Sequence, residues 1–500
     1  MKKDVQEGAR FSRRKIPRSK RRGLFAFLCL LPEVEEPRQY PRRVKWFITF
    51  VTAFAAATAS LGSAIILPSL SQAAEDLHAT STITNLSVAL FMLCMAIFPL
   101  WWSYFSETVG RRSVYLVSFS CFVLFAILSA VSTSIGMFVA MRMLSGGAAA
   151  SVQTVGAGTL SDIWEPKERG KAMGFFYIGS VCGPLLAPII GGALGEKWGW
   201  RSTQWFLVIY GGVSLVFLLL ALPETSKRRK ALVEDVPSTA GPALERTSSH
   251  QAVPRKTQRW IHALHQAFVE PLKIVLWLRF PAILITVYYS SIGFGSLYVL
   301  NISLQDVFSK PPYNFPTWVV GLIYIPSSLG FLVSSLFGGK WSDYIMARGA
   351  RKANRYDEKG GLIYIPEDRM GENAWIAAVL FPVSMLVYGW TAGQGVHWIV
   401  PLIANFFFGC STMVIFSLAL TMLTEFIPQK PSNGVAANNF LRNIFSCVGS
   451  TIADPMIRAI GNGWTFTILG MLGFFSISIV WLMKHMGPRW REAMTRKIGP

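Results

Sequence analysis

Twelve stretches of roughly 20 or more mostly apolar residues recur along the chain, near residues 46–70, 82–103, 113–133, 136–159, 172–194, 202–223, 281–304, 317–339, 374–393, 398–424, 436–459 and 463–484. Each is long enough to cross about 30 Å of hydrocarbon as a helix. Inside a bilayer only helices or closed barrels satisfy every backbone N–H and C=O. The expected fold is therefore an all-α integral membrane protein with about 12 transmembrane helices. Composition agrees, because 500 residues that are 52% hydrophobic and 15% charged carry more apolar surface than a water-soluble core can hide.

A net charge of +21 raises the question of nucleic acid. The Lys and Arg lie in short clusters between apolar runs and form no continuous basic face, so no nucleic-acid partner is expected. Numbered alternately from an inside N-terminus, the runs leave most of the 48 Lys and Arg in the tails and loops of one side. The positive-inside rule then places both termini in the cytoplasm. The opposite loops are short, and residues 71–80 carry only Glu75 and Asp76 as acids and no Lys or Arg.

The same pattern divides the chain into a basic cytoplasmic tail (1–45), a six-helix half (46–225), a cytoplasmic linker (226–280), a second six-helix half (281–485) and a second tail (486–500). The linker is rich in Ser, Pro and charge and reads as disordered, with an amphipathic stretch near 260–278. Residues 24–31 follow a basic stretch but are too few for a signal peptide, lack a small-residue cleavage site, and run into Pro32, Glu33, Glu35 and Glu36. They read as a juxtamembrane segment on the inner leaflet. Cys29 within it is a candidate for S-acylation. Cys94, Cys121, Cys182, Cys410 and Cys447 lie in apolar runs as packing residues, and no disulfide framework or metal site is expected.

The halves repeat. Ser106-Glu107 after the second run has its counterpart in Ser342-Asp343 after the eighth. Arg142, Gly146, Leu160, Ser161 and Asp162 align at one constant offset with Asn405, Gly409, Leu423, Thr424 and Glu425. Two pseudo-symmetric halves are the usual frame of a transporter with a central alternating-access site.

Within that frame, residues 103–112 form a short turn in which an acid at a helix end, Glu107, precedes Gly110, Arg111 and Arg112. Such a charge clamp is suited to bind neighbouring helix ends in one conformation and release them in another, and Asp343 repeats the acid in the second half. The alternative is an ordinary solvated turn. Arg142 has no acid within one helical turn and sits a quarter to a third of the way into its run, where a guanidinium is costly unless it faces a polar interior. Gly179, Gly183, Ala187 and Gly191 form a stripe of small residues interleaved with Pro184 and Pro188, suited to close helix approach. This face is expected to seal the outer half of the cavity. In the eleventh run Asn438 and Arg442 share a side suited to line the inner half, and Asp454 is either a functional acid or the ion-pair partner of Arg458. Gln153, Tyr288, Tyr289 and Asn405 complete the candidate substrate contacts, with Asn301 and Gln305 as weaker ones.

These residues resemble the major facilitator superfamily over about 46–485. Residues 103–112 are similar to its cytoplasmic signature, with Ser103 for the usual Gly and Glu107 for the usual Asp. Arg142 to Ala150 resembles its span-four motif, whose arginine is implicated in proton coupling. Gly179 to Gly192, with Gly183-Pro184 and Gly191-Gly192, resembles the antiporter motif, and Leu222-Pro223-Glu224-Thr225 the common close of span six. Residues 102–112 together with 436–442 are most similar to fungal twelve-span drug:proton antiporters of the quinidine-resistance and dityrosine-exporter group. The resemblance implies proton-coupled export of drugs, polyamines, amino-acid derivatives or secondary metabolites. Arg142, Glu107, Asp343, Arg111, Arg112 and Arg442 would carry coupling and gating. No cofactor and no catalytic residue is implied, because the proton gradient drives the cycle and no Walker-type loop is present. The partners are substrate, protons and lipid, for a monomer in the plasma membrane or, alternatively, a vacuolar or spore membrane. The rival functions are an importer of the same fold and a non-transporting membrane sensor.

Overall fold

A computed structural model of the protein describes residues 16–226, 271–356, 362, 368, 370–426 and 431–498. Its helices are α1 (Arg42–Ala64), α2 (Ser81–Thr108), α3 (Arg111–Ala130), α4 (Ile135–Ile163, with a seam at Ala150), α5 (Pro166–Trp198), α6 (Arg201–Ala221), α7 (Pro281–Ser309), α8 (Ile325–Lys352), α9 (Glu372–Gly393) and α10 (Ile399–Phe426). A last helical stretch, Pro431–Ile498, is broken at Gly461, where φ is 76°, into α11 (431–460) and α12 (462–498).

Among the described residues ten helical stretches are long and apolar enough to span a membrane, and one of them contains the Gly461 break. The Gly-rich α5 is not among the ten, yet its 33 residues reach about 50 Å at 1.5 Å per residue. With α5 and the break, twelve crossings are present.

Local chemistry sets the ends. Thr80 caps α2 by accepting the Ile83 N–H at 3.4 Å, and Ser134 caps α4 by accepting that of Met137 at 3.3 Å. Pro166 and Pro281 occupy first turns, where a missing N–H costs nothing. The lipid face is visible as exposed apolar stripes at helical spacing, such as Ile376, Val379, Val383 and Val387 on α9.

The repeat has a packing counterpart. A Cβ on Gly146 of α4 would stand 2.7 Å from the Phe91 carbonyl of α2, and one on Gly409 of α10 would stand 2.1 Å from the Ser327 carbonyl of α8. Each half therefore seats its fourth helix on the backbone of its second through a glycine at the matched position.

One end of the bundle, here the tail face, carries residues 16–41 and the α2–α3 turn. At the other, the far face, the halves touch. Gly192 of α5 packs beside Thr317 and Gly321, Gln72 donates to Thr317 Oγ1 at 2.9 Å, and the Thr317 N–H donates to Glu196 at 2.8 Å. Contact between halves continues inward, where Asn443 Nδ2 of α11 donates to the Met95 carbonyl of α2 at 3.2 Å. Residues 227–270, which hold most of the expected linker, lie outside the described residues, and 271–279 form a 3-10 helix.

Candidate functional site

The tail-face turn is built by two helix ends that cap each other. The C-terminus of α6 presents carbonyls with no intrahelical partner. Arg112, from the first turn of α3, donates to the carbonyls of Leu219 at 2.7 Å and Leu218 at 3.4 Å, and to that of Leu222. Conversely, Glu224, just past α6, accepts the N–H groups of Arg111 at 2.9 Å and Arg112 at 3.2 Å, which are orphan donors at the start of α3. Charge and dipole agree at both ends.

Gly110 makes the arrangement fit. Its φ is +113°, and a Cβ there would lie 2.5 Å from Glu224 Oε2. Burial lifts the Glu224 carboxyl above the usual glutamate range, against the lowering pull of the N–H groups of Ser226, Arg111 and Arg112. Arg111 turns the other way, to Asp162 at the end of α4 (3.3 Å) and to Ser106 Oγ (2.5 Å).

The expected clamp thus has different acids. Glu107 is exposed, lines a cavity of about 160 Å³ with Arg22, Gly110 and Glu224, and forms no ion pair among the described residues. The side chain of Asp343 lies outside those described. Asp162 and Glu224 hold the arginines instead. Both sit in motifs visible in the sequence, and their signal was position, acids closing the fourth and sixth runs on the side of the arginine turn.

At the centre of the bundle, Arg142 is 0% exposed. It donates through Nη1 to the Gly62 carbonyl of α1 at 2.7 Å and lies 4.8 Å over the Phe91 ring. Its Nε and Nη2 have no hydrogen-bond partner among the described residues. Arg442 of α11 is stacked over Phe294 at 4.4 Å and Phe416 at 5.2 Å, and its Nε is likewise unpartnered. Tyr298 of α7 stands within electrostatic reach of both guanidiniums. Two cations, one from each half, are thus packed on apolar rings of their own halves within electrostatic reach of one tyrosine, with no carboxylate ion-paired to either among the described residues. Tyr298 is an aromatic in an apolar run, and nothing in the sequence distinguished it.

The remaining candidates scatter. Asn438 Oδ1 accepts the Ser290 hydroxyl while its Nδ2 is unpartnered. Gln153 Oε1, the Tyr289 hydroxyl and both amide atoms of Asn405 are buried without a partner among the described residues. Tyr288 meets the Phe445 ring edge-on at 5.9 Å. Asn301 offers its carbonyl to the Tyr324 hydroxyl, and Gln305 lies near Asp454 in a small far-face cavity. Asp454 accepts from Arg458 at 2.9 Å and also takes the Thr82 hydroxyl of α2 at 2.6 Å, so the ion pair is real and doubles as a bond between halves.

The α5 stripe packs within its own half. Cβ atoms on Gly179, Gly183 and Gly191 would lie 2.1, 2.1 and 1.9 Å from Ala53, Ser60 and Ile65 around α1. Gly192 and the Pro188 carbonyl face the other half, against Gly321, and the side chain of Pro184 lies outside those described. Cys29 is 2% exposed, which removes it as an S-acylation site in this conformation.

A bundle of twelve crossings in two halves with duplicated packing is the architecture of a membrane transporter. The Major Facilitator Superfamily profile matches residues 52–452, and the chain belongs to that family. Among its relatives, "MFS antiporter QDR3" of Candida albicans is 32% identical, covering 96% of this chain and 83% of that protein. "Quinidine resistance protein 3" of Saccharomyces cerevisiae is 29% identical over 95% of this chain and 87% of that one. "MFS transporter OpS2" of Beauveria bassiana is 47% identical over 69% of this chain. Among solved structures, a partially occluded inward-open xylose transporter XylE from E. coli superposes with a TM-score of 0.62 at 16% identity, covering 88% of this chain and 97% of that one, a likeness of fold.

Proposed function

We propose that the chain is a proton-coupled exporter of small organic molecules, such as drugs, polyamines, amino-acid derivatives or secondary metabolites. It works as a monomer in the plasma membrane with both termini cytoplasmic, so the tail face is the cytoplasmic one, and needs no bound cofactor. The observation that carries this reading is the pair of arginines, Arg142 and Arg442, one in each half, which have buried, unpartnered guanidinium nitrogens and no ion pair among the described residues. A buried cation without an acid is held at a cost, and that cost falls when a proton or an anionic group changes the local charge. Relatives named as antiporter and as quinidine-resistance protein support the direction of flux.

In this cycle the far-face contacts keep the outside shut while substrate enters from the cytoplasm. Protonation from outside then returns the emptied carrier by alternating access. Arg142 reports the protonation state to the cavity, and the tail-face turn fixes the ends of α3, α4 and α6 as one block.

Vesicles carrying wild type or Arg142→Ala at equal expression, given a pH gradient and a panel of quinidine, spermine, dityrosine derivatives and organic acids, test it. Gradient-dependent export lost by about tenfold or more in Arg142→Ala is expected, a loss of at least ~1.4 kcal/mol of coupling. Flux indifferent to the gradient would overturn the coupling, and gradient-driven uptake would make the protein an importer.

A further inference from the structure

Residues 16–33 do not trail away from the bundle. They are folded back on it. The Leu24 N–H donates to Ser113 Oγ at 3.1 Å, the carbonyls of Leu24 and Phe25 each accept from Arg112 at 3.0 Å, and the Leu30 N–H donates to the Leu220 carbonyl at 2.8 Å. The loop is internally tied. Arg22 pairs with the buried Glu33 at 2.6 Å, Arg21 donates to the Cys29 carbonyl at 2.5 Å, and the Ile16 N–H donates to the Glu33 carbonyl at 2.8 Å. The result is a clasp over the tail-face turn whose main chain supplies two of the acceptors that saturate Arg112.

What the clasp shows to the outside is apolar. Leu24, Phe25, Phe27, Leu28 and Leu30 are all exposed, Phe27 by 61% and Leu30 by 69%. Its depth is fixed by the bond from Leu30 to Leu220. Leu220 lies in the last turn of α6, and Val213, Val216 and Phe217 form an exposed stripe on that helix at spacings of three and four, which runs directly to Leu30. The lipid-facing surface of α6 is therefore continuous with the clasp. On the same face, Arg18, Lys20, Arg38, Arg42 and Arg43 are exposed, Arg42 paired with Glu168 at 3.3 Å, against the exposed acids Glu35, Glu36 and Glu107. Apolar side chains flanked by cations fit a leaflet that offers acyl chains below and anionic headgroups above.

We propose that residues 16–33 are a lipid-seated clasp: Phe27 and Leu30 insert into the anionic inner leaflet, and this seating holds the Leu24 and Phe25 carbonyls on Arg112. Lipid charge thereby sets how firmly the α3–α6 staple is closed. The naming of the leaflet rests on the orientation proposed above. The test does not, because it uses no flux and a disc with the same lipids on both sides.

Full-length protein with Phe27→Cys carrying a nitroxide is placed in nanodiscs of phosphatidylcholine with phosphatidylserine, and label on native cysteines is subtracted using labelled wild type. Relaxation by oxygen in preference to a water-soluble nickel chelate is expected. The reverse preference would show a tip in water, suited to a protein partner, and would overturn the proposal. As a second measurement, hydrogen exchange of amides 24–30 is compared in discs with and without phosphatidylserine. Slower exchange with phosphatidylserine, lost in Arg18→Glu/Lys20→Glu, is expected. Equal exchange of wild type in both discs would overturn the role of lipid charge.

Discussion

Arg112 accepts no compromise in its surroundings, because five carbonyls from two segments converge on one guanidinium. Buried charges persist when every donor is used. The residue beside it carries the tightest steric demand. Gly110→Ala should destabilise the protein by about 1–3 kcal/mol, because it forces a side chain into positive φ and against Glu224. The loss would appear as a lowered melting temperature in detergent, and an unchanged melting temperature would refute the capping geometry. Glu224 adds a pH signature. Its folded value is raised, so the folded state holds the proton more tightly than the unfolded one. The stability this contributes is full below the ordinary glutamate value of 4.5 and is lost as pH rises through the folded value. Glu224→Gln should flatten that slope. At this scale the sequence exposed the arginines and Arg142 through their cost in an apolar run. It hid which acids answer them, since Glu107 is nearer along the chain while Asp162 and Glu224 are nearer in space.

The clearest element is α5. Its four-residue spacing of small side chains announced a close helix approach, and the approach exists. Spacing carries no information about which neighbour is approached, so the contact with the other half falls to Gly192 and Pro188, while Gly179, Gly183 and Gly191 bind α5 to α1. The two kinds of glycine should fail differently. Gly183→Leu should separate α1 from α5, at a cost beyond the ~1–3 kcal/mol typical of overpacking because the obstacle is backbone as well as side chain. Gly192→Leu should leave folding largely intact and raise labelling of a cysteine introduced on the far face, Gln72→Cys, by a membrane-impermeant reagent. Equal loss of folded protein in both variants would place Gly192 in the structural seam instead. Helix count and the duplicated register were legible from periodicity alone, because the lipid solvent imposes one element type. The Gly461 break was legible only as a gap of a few residues between two apolar runs.

For the molecule as a whole, the halves are closed on the far face by identifiable contacts. Gln72→Cys with Thr317→Cys, whose native side chains meet at 2.9 Å, should cross-link under mild oxidant and abolish flux, and reductant should restore it. Full flux in the cross-linked protein would mean that these helix ends do not part during turnover. The two-half plan was legible because duplication leaves a constant offset. The central Arg142, Tyr298 and Arg442 cluster was not, since its members come from α4, α7 and α11 and only the folded bundle makes them neighbours.

The mutual capping of α3 and α6 also bears on the order in which the protein is made. The carbonyls that satisfy Arg112 at the end of α6 and just past it lie 106 to 110 residues further along the chain, and the carboxylate that caps its own N–H lies 112 residues on. While the third to fifth crossings are leaving the ribosome, that cation has no C-terminal partner and must stay at the hydrated membrane border. Completion of the sixth crossing supplies carbonyls and carboxylate together. The first half can therefore lock only when its last helix is in place, and a chain arrested before residue 224 would present quality-control machinery with an unburied arginine.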